Sequence, residues 1–345
     1  MHEIASRVLA HEERAVARTL RLIDDRAGDY LRILKDLFPH TGRAFIIGVT
    51  GNPGAGKSTL CDRLIELFRR ENRTVGVIAV DPTSPFSGGA ILGDRIRMGR
   101  HSTDAGVFIR SVATRGHMGG LSRSARDMVR VLDAYGCDVV IVETVGVGQD
   151  ELEITRTAHS TLVVMAPGMG DEVQASKAGI LEIADVFAVN KADREGADSA
   201  MRDLELMIAL GQETRGAVSK SRGHVVHSKA ALGLPAAPVT LGEGGLPLTW
   251  TPPILRCVAT KNEGVKEVID ALERHRAWLE GSQKGQDRRK LRLAEEVRET
   301  LREALIDAAV RALGDHMDEA VRAVEAKKID PYTATEQLIA AFRRS

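Results

Sequence analysis

The chain is 345 residues long, 43% apolar and 28% charged, which is enough for one large α/β domain with helical additions and excludes a disordered composition. Its 48 basic residues cancel its 48 acidic ones, leaving no net attraction to nucleic acid or to an anionic membrane surface. Three cysteines, Cys61, Cys137 and Cys257, stand far apart with no CxxC spacing, which argues against a disulfide framework and a dedicated zinc site and fits a reducing cytoplasm.

The first residues, Met1 to Val16, carry Glu, His and Arg among their apolar positions and lack a signal-peptide core. No later apolar run is long enough to span a bilayer, so a soluble, cytoplasmic protein is expected. Apolar residues then recur near the helical period, at Ile4, Val8 and Leu9, at Val16 and Leu20, and at Leu31, Leu34 and Phe38, which predicts a helical extension over 1–43. Phe45, Ile46, Ile47 and Val49 form a short apolar run ending in glycines, the pattern of a buried strand feeding a phosphate loop. Further buried strands are expected at Val75–Val80, Val107–Ile109, Val139–Val142, Leu162–Met165, Val186–Val189 and Ile254–Val258, with helical patterns between most of them. That rhythm predicts an α/β core over 44–280 with a doubly wound, mostly parallel sheet. Gly211 to Pro253 is rich in Gly, Pro, Ala and Ser and reads as a surface excursion. Beyond it, Leu293, Val297, Leu301, Leu305 and Val310 lie on one stripe of a long amphipathic helix, the start of a helical arm over 285–345. A last helix should open at Asp330-Pro331, a capping residue followed by proline at the first helical position.

The strongest chemical motif is Gly51-Asn52-Pro53-Gly54-Ala55-Gly56-Lys57-Ser58-Thr59, which fits G-x-x-x-x-G-K-[ST] between a predicted strand and a predicted helix. Gly51, Gly54 and Gly56 let backbone N–H groups converge on a polyphosphate, and the helix N-terminus adds its positive dipole. Lys57 would reach the β- and γ-phosphates, and Ser58 would offer a hydroxyl to Mg²⁺. Asn190-Lys191-Ala192-Asp193 follows the Val186–Val189 strand as an N-K-x-D turn. Asp193 can accept from both the N1 hydrogen and the 2-amino group of guanine, whereas adenine would leave it unpaired, so GTP is expected rather than ATP. Three carboxylates are candidates for the metal site and its chemistry: Asp81 at the end of the second strand, Asp94 in Gly93-Asp94-Arg95, and Glu143. Glu143-Thr144-Val145-Gly146 stands where a D-x-x-G motif is expected, with Gly146 placed to donate its N–H to the γ-phosphate. His101 and His117 lack neighbouring ligands and read as polar loop residues.

Taken together, VTGNPGAGKST, VIAVDPTSPFSGGAILGDRIRM, FIRSVATRGHMGGLS, VETVGVGQDE, PGMGDEVQASKAGILEIADVFAVNKAD and KNEGV resemble the MeaB/ArgK family of P-loop GTPases. The resemblance implies GTP hydrolysis with Mg²⁺, a homodimer held partly by the C-terminal helices, and an adenosylcobalamin-dependent acyl-CoA mutase as partner. It implies a chaperone that gates cofactor loading and protects the mutase, methylmalonyl-CoA mutase being the first candidate; the charge balance leads to the expectation of no nucleic-acid or membrane partner. Loops around Asp81–Arg97, Arg110–Gly120 and Gly168–Lys177 would respond to the γ-phosphate, with Asp171, Glu172 and Lys177 facing the partner. Val258-Ala259-Thr260 occupies the place of the family's S-A-x base-contacting loop, with Val258 in place of the serine. A kinase acting on a transport protein and a nickel- or cobalt-inserting GTPase are the competing readings.

Overall fold

The computed structural model describes residues 1–81, 99–101, 103–113, 123–144, 154–168, 182–218 and 249–344, with the side chains of 81, 113, 123 and 211–218 excepted. The chain divides into two units, Met1–Ser282 and Gln283–Ser345.

In the first unit the continuous apolar runs become strands because both faces of the sheet are covered. The strands are β1 (Phe45–Thr50), β2 (Val75–Asp81), β3 (Val107–Ala113), β4 (Val139–Thr144), β5 (Ser160–Met165), β6 (Val186–Val189) and β7 (Ile254–Arg256). They lie in the order β3-β2-β4-β1-β5-β6-β7, and every pair is parallel. All C-terminal strand ends therefore open on one edge. The central strand β1 runs between β4 and β5, with Val49 level with Glu143 and Leu162.

Alternation along the strands divides the core. Ile47, Val49, Val139 and Ile141 pack against Leu60, Leu64 and Phe68 of α4 (Lys57–Arg70) and against Val265, Val268 and Leu272 of a later helix, Val265–Gly281. On the other face Ile78, Val80, Val140 and Val142 meet Ile4 and Val8 of α1 (Glu3–Leu9), Val16 and Leu20 of α2 (Glu13–Asp24), Ile33 and Leu37 of α3 (Tyr30–Leu37), and Met128 and Leu132 of α5 (Arg123–Tyr135). Each such buried Leu, Ile, Val or Phe stabilises the fold by about 1.5–3 kcal/mol. A smaller cluster joins Val163, Phe187 and Val189 to Leu204 of α6 (Ala197–Val218). The helix Val265–Gly281 is α7. Asp133 of α5 fastens the entry to β1, its buried carboxylate accepting hydrogen bonds from the backbone N–H groups of Gly42, Arg43 and Ala44.

Three expectations need correction. The N-terminal extension is three short helices, and Leu31 and Phe38 are exposed, because Ile33 and Leu37, four residues apart, take the buried face of α3. α6 runs eight residues into the stretch read as a surface excursion, since Gln212, Glu213 and Arg215 are good helix formers; residues 219–248 lie outside those described. β7 stops at Arg256 rather than Val258. Val258 instead pairs antiparallel with Glu263 and stays buried, so its apolar character prolongs the strand pattern past the true strand end.

The second unit is helical: α8 (Gln283–Leu313), α9 (Asp315–Glu325) and α10 (Pro331–Phe342). Asp330 caps α10 as the sequence predicts, its carboxylate accepting from the N–H groups of Tyr332 and Thr333. The stripe of Leu293, Val297, Leu301, Leu305 and Val310 lies within the single helix α8, and all five side chains are exposed.

Candidate functional site

At the C-terminal end of β1 the chain turns through residues 51–56 and enters α4 at Lys57. The turn admits only glycine at its two ends. At Gly51, with φ +129°, a side-chain carbon would stand 2.0 Å from the carbonyl oxygen of Val164 on β5. At Gly56, with φ +92°, it would stand 2.4 Å from the Asn190 amide nitrogen. Asn52, Pro53, Gly54 and Ala55 form the arch between them. Lys57 is buried, and its ammonium donates to the carbonyl oxygens of Gly51 at 2.7 Å and Asn52 at 3.1 Å, so it closes over the loop it follows.

Ser58 and Glu143 are both buried and meet directly, the Ser58 hydroxyl donating to Glu143 Oε1 at 2.8 Å. β4 delivers Glu143 to this position because its register places the residue between Val49 of β1 and Ala79 of β2. Beside them the Thr144 hydroxyl donates to that of Thr50 at 3.0 Å. Asp81 ends β2 on the same sheet edge. Asp94 and Gly146 lie outside the described residues, as do Asp171, Glu172, Lys177, His117 and most of the three loops expected to sense the γ-phosphate. A hydroxyl and a carboxylate side by side next to a phosphate loop are hard oxygen donors of the kind Mg²⁺ takes, so the residues present fit that ion.

The other half of the site follows β6. Asn190 is buried and joins two loops: its Nδ2 donates to the Ala55 carbonyl at 2.9 Å and its Oδ1 accepts from the Ala259 N–H at 3.0 Å. Lys191 adopts a positive φ of 57° and donates from Nζ to the Gly54 carbonyl at 2.7 Å. The Ala192 N–H bonds to the Cys257 carbonyl at 3.1 Å. Asp193 is half-exposed and forms an ion pair with Lys261, Nζ to Oδ2, at 3.1 Å. The Lys261 hydrogen bond holds the Asp193 carboxyl below the usual carboxylate range. A cleft of 130 Å³ opens between Gly56 and Thr59 on one side and Asn190, Lys191, Asp193, Val258 and Thr260 on the other. Ala259 contributes through its N–H, which donates to Asn190.

Sequence reasoning left out Arg194, which also lines the cleft, and Lys261. Arg194 adjoins the N-K-A-D turn and was open to inspection; Lys261 acquires its role only through a contact across 68 positions. It also read His101 as an ordinary loop residue, whereas the structure buries it with Nε2 3.0 Å from Asp62 Oδ1 of α4, beside the Arg100–Asp62 and Arg100–Glu66 ion pairs. Among the described residues no three His, Cys, Asp or Glu side chains form a metal-holding group, and no helix is long and apolar enough to cross a membrane. The three cysteines are buried and form no disulfide, and burial pushes the Cys137 and Cys257 thiols up to about 12.

Comparison with known proteins places this geometry. Residues 16–313 match the family described as methylmalonyl Co-A mutase-associated GTPase MeaB. A protein of Pyrococcus abyssi described as a GTPase is 45% identical over 98% of this chain and 95% of its own length. A fused isobutyryl-CoA mutase of Cupriavidus metallidurans is 36% identical over 211 residues, 60% of this chain and 19% of that one. The crystal structure of a LAO/AO transport system kinase superposes with a TM-score of 0.62 at 25% identity, covering 99% of this chain and 97% of that one. The fold is that of a P-loop GTPase and the activity is GTP hydrolysis; the chain belongs to the MeaB family of mutase-associated GTPases.

Proposed function

We propose that this GTPase is a cytoplasmic, homodimeric chaperone for an adenosylcobalamin-dependent acyl-CoA mutase, with methylmalonyl-CoA mutase the first candidate, and that its nucleotide state gates cofactor loading and protects the mutase. The partner class rests on one observation: a segment similar to this chain is covalently part of a fused isobutyryl-CoA mutase, alongside the family's description as mutase-associated.

At the site, the N–H groups of 51–56 and the start of α4 would cradle the phosphates. Lys57 would exchange its two carbonyl partners for β- and γ-phosphate oxygens. Asn190 and Asp193 would hold the base edge, with the Lys191 stem over the ring and Val258, Ala259 and Thr260 closing its far side. Ser58 and Glu143, with Asp81 and Asp94, are the residues that would hold Mg²⁺, which when bound supplies charge neutralisation at the terminal phosphates. Glu143 would orient the attacking water through the same carboxylate that now engages Ser58, and Gly146 would donate to the γ-phosphate.

The test is GTP hydrolysis by the purified protein with and without candidate acyl-CoA mutases. The expected result is stimulation by one of them. A rate that no mutase changes, together with phosphoryl transfer from GTP to a protein acceptor, would replace the chaperone with a kinase.

A further inference from the structure

A carboxylate that recognises guanine must present both oxygens in a fixed plane to the N1 hydrogen and the 2-amino group. Asp193 is poorly placed to do this alone, being half-exposed, and the terminal torsion of an aspartate is broad and two-fold. Residue 258, which lines the cleft from the adjoining loop, is a buried valine whose side chain has no donor to offer. A side-chain donor that reaches Asp193 comes instead from Lys261.

Lys261 is itself held on a short, internally bonded loop. Its N–H bonds to the Val258 carbonyl at 2.9 Å, and Val258 and Glu263 exchange backbone hydrogen bonds at 2.9 and 3.3 Å. Ala259 in the same loop is tied to Asn190, and Cys257 just before it to Ala192. The Lys261–Asp193 pair is thus a further link between the turn at 190–193 and the loop at 257–263. It engages one oxygen only, and an ionised carboxylate has about four acceptor sites, so about three remain, enough for the two donors of the base.

We propose that Lys261 is a positioning residue for Asp193 and, through it, a determinant of the preference for guanine's 2-amino group. The proposal rests on reading 190–193 as the base-recognition turn. Lys261 does not touch the base; it fixes the plane of the carboxylate that does.

The experiment measures the affinities of GTP and ITP, which lacks the 2-amino group, for the full chain and for Lys261→Met, Lys261→Arg, Asp193→Asn and the Lys261→Met/Asp193→Asn double variant. Because the pair is exposed, Lys261→Met should lower the GTP:ITP affinity ratio by about three-fold. Lys261→Arg should keep most of the ratio, and rising salt should move the wild-type ratio toward that of Lys261→Met. In the Asp193→Asn background Lys261→Met should change the ratio no further. An equal loss of both nucleotides, an unmoved ratio in Lys261→Met, or an effect that persists without Asp193 overturns the proposal. If Asp193→Asn itself leaves the ratio at its wild-type value, the base-site reading fails as well; if that variant collapses the ratio and Lys261→Met does not move it, only the role of Lys261 falls.

Discussion

At Lys57 the ammonium already rests on two carbonyl oxygens of the loop it closes, so phosphate oxygens replace existing partners at a side chain whose position is set. Lys57→Ala should therefore weaken GTP binding roughly 10- to 100-fold, the range of a charged hydrogen bond, while thermal stability changes little; titration with a fluorescent GTP analogue reads it. Gly56→Ala should be worse for the fold. It combines a positive φ with a side-chain carbon 2.4 Å from the Asn190 amide, and a loss of about 2 kcal/mol in urea unfolding, with weaker GTP binding alongside, is the expected outcome. Both glycines and the N-K-A-D turn were legible in the sequence, because their requirements are local: a backbone angle, a loop length, a strand end. The Lys261–Asp193 contact was not, since nothing at either position alone announces the other.

α5 carries Asp133 to the entry of β1, where one buried carboxylate satisfies three consecutive backbone donors. Asp133→Ala strands those N–H groups, and a loss of roughly 2–4 kcal/mol by urea denaturation is expected, with the site itself intact. The link between α4 and the lead-in to β3 behaves differently because it is partly exposed: Arg69 grips Asp104 through two bonds of 2.9 Å. Arg69, then the Gly106 N–H, hold the Asp104 carboxyl below its ordinary range. A depressed carboxylate stabilises above its unfolded pKa and loses that contribution as pH falls through the folded value. Asp104→Asn should thus lower Tm slightly at neutral pH, by about 0.5–1 kcal/mol equivalent, and the gap from wild type should close as the pH is taken below the carboxylate range. At this scale the strands were legible because burial on both faces leaves an unbroken apolar run, as in Val139–Val142. Helix faces were less so. In segments as short as α3, one turn decides whether Leu31 or Ile33 is inside, and only packing against α5 and the sheet makes that choice.

For the whole molecule, the exposed apolar stripe of α8 is where the proposed homodimer would find its contact in the second unit. Removing residues 286–345 should give a monomer that binds GTP as the full chain does, checked by light scattering and nucleotide titration; a dimer that survives the truncation puts the interface elsewhere. The topology of the first unit also has a consequence for the order in which the protein is made. β1 and its phosphate loop leave the ribosome early, but both strands that flank β1 follow far behind, and the Asn190 oxygen waits for the N–H of Ala259. At 5–20 residues per second, the about 200 residues between Lys57 and Ala259 take roughly 10–40 s to appear. A nascent chain stalled anywhere in that interval owns a phosphate loop but an incomplete base end, lacking at least the 257–263 loop that ties down Asn190, so firm capture of GTP marks a chain translated through its seventh strand.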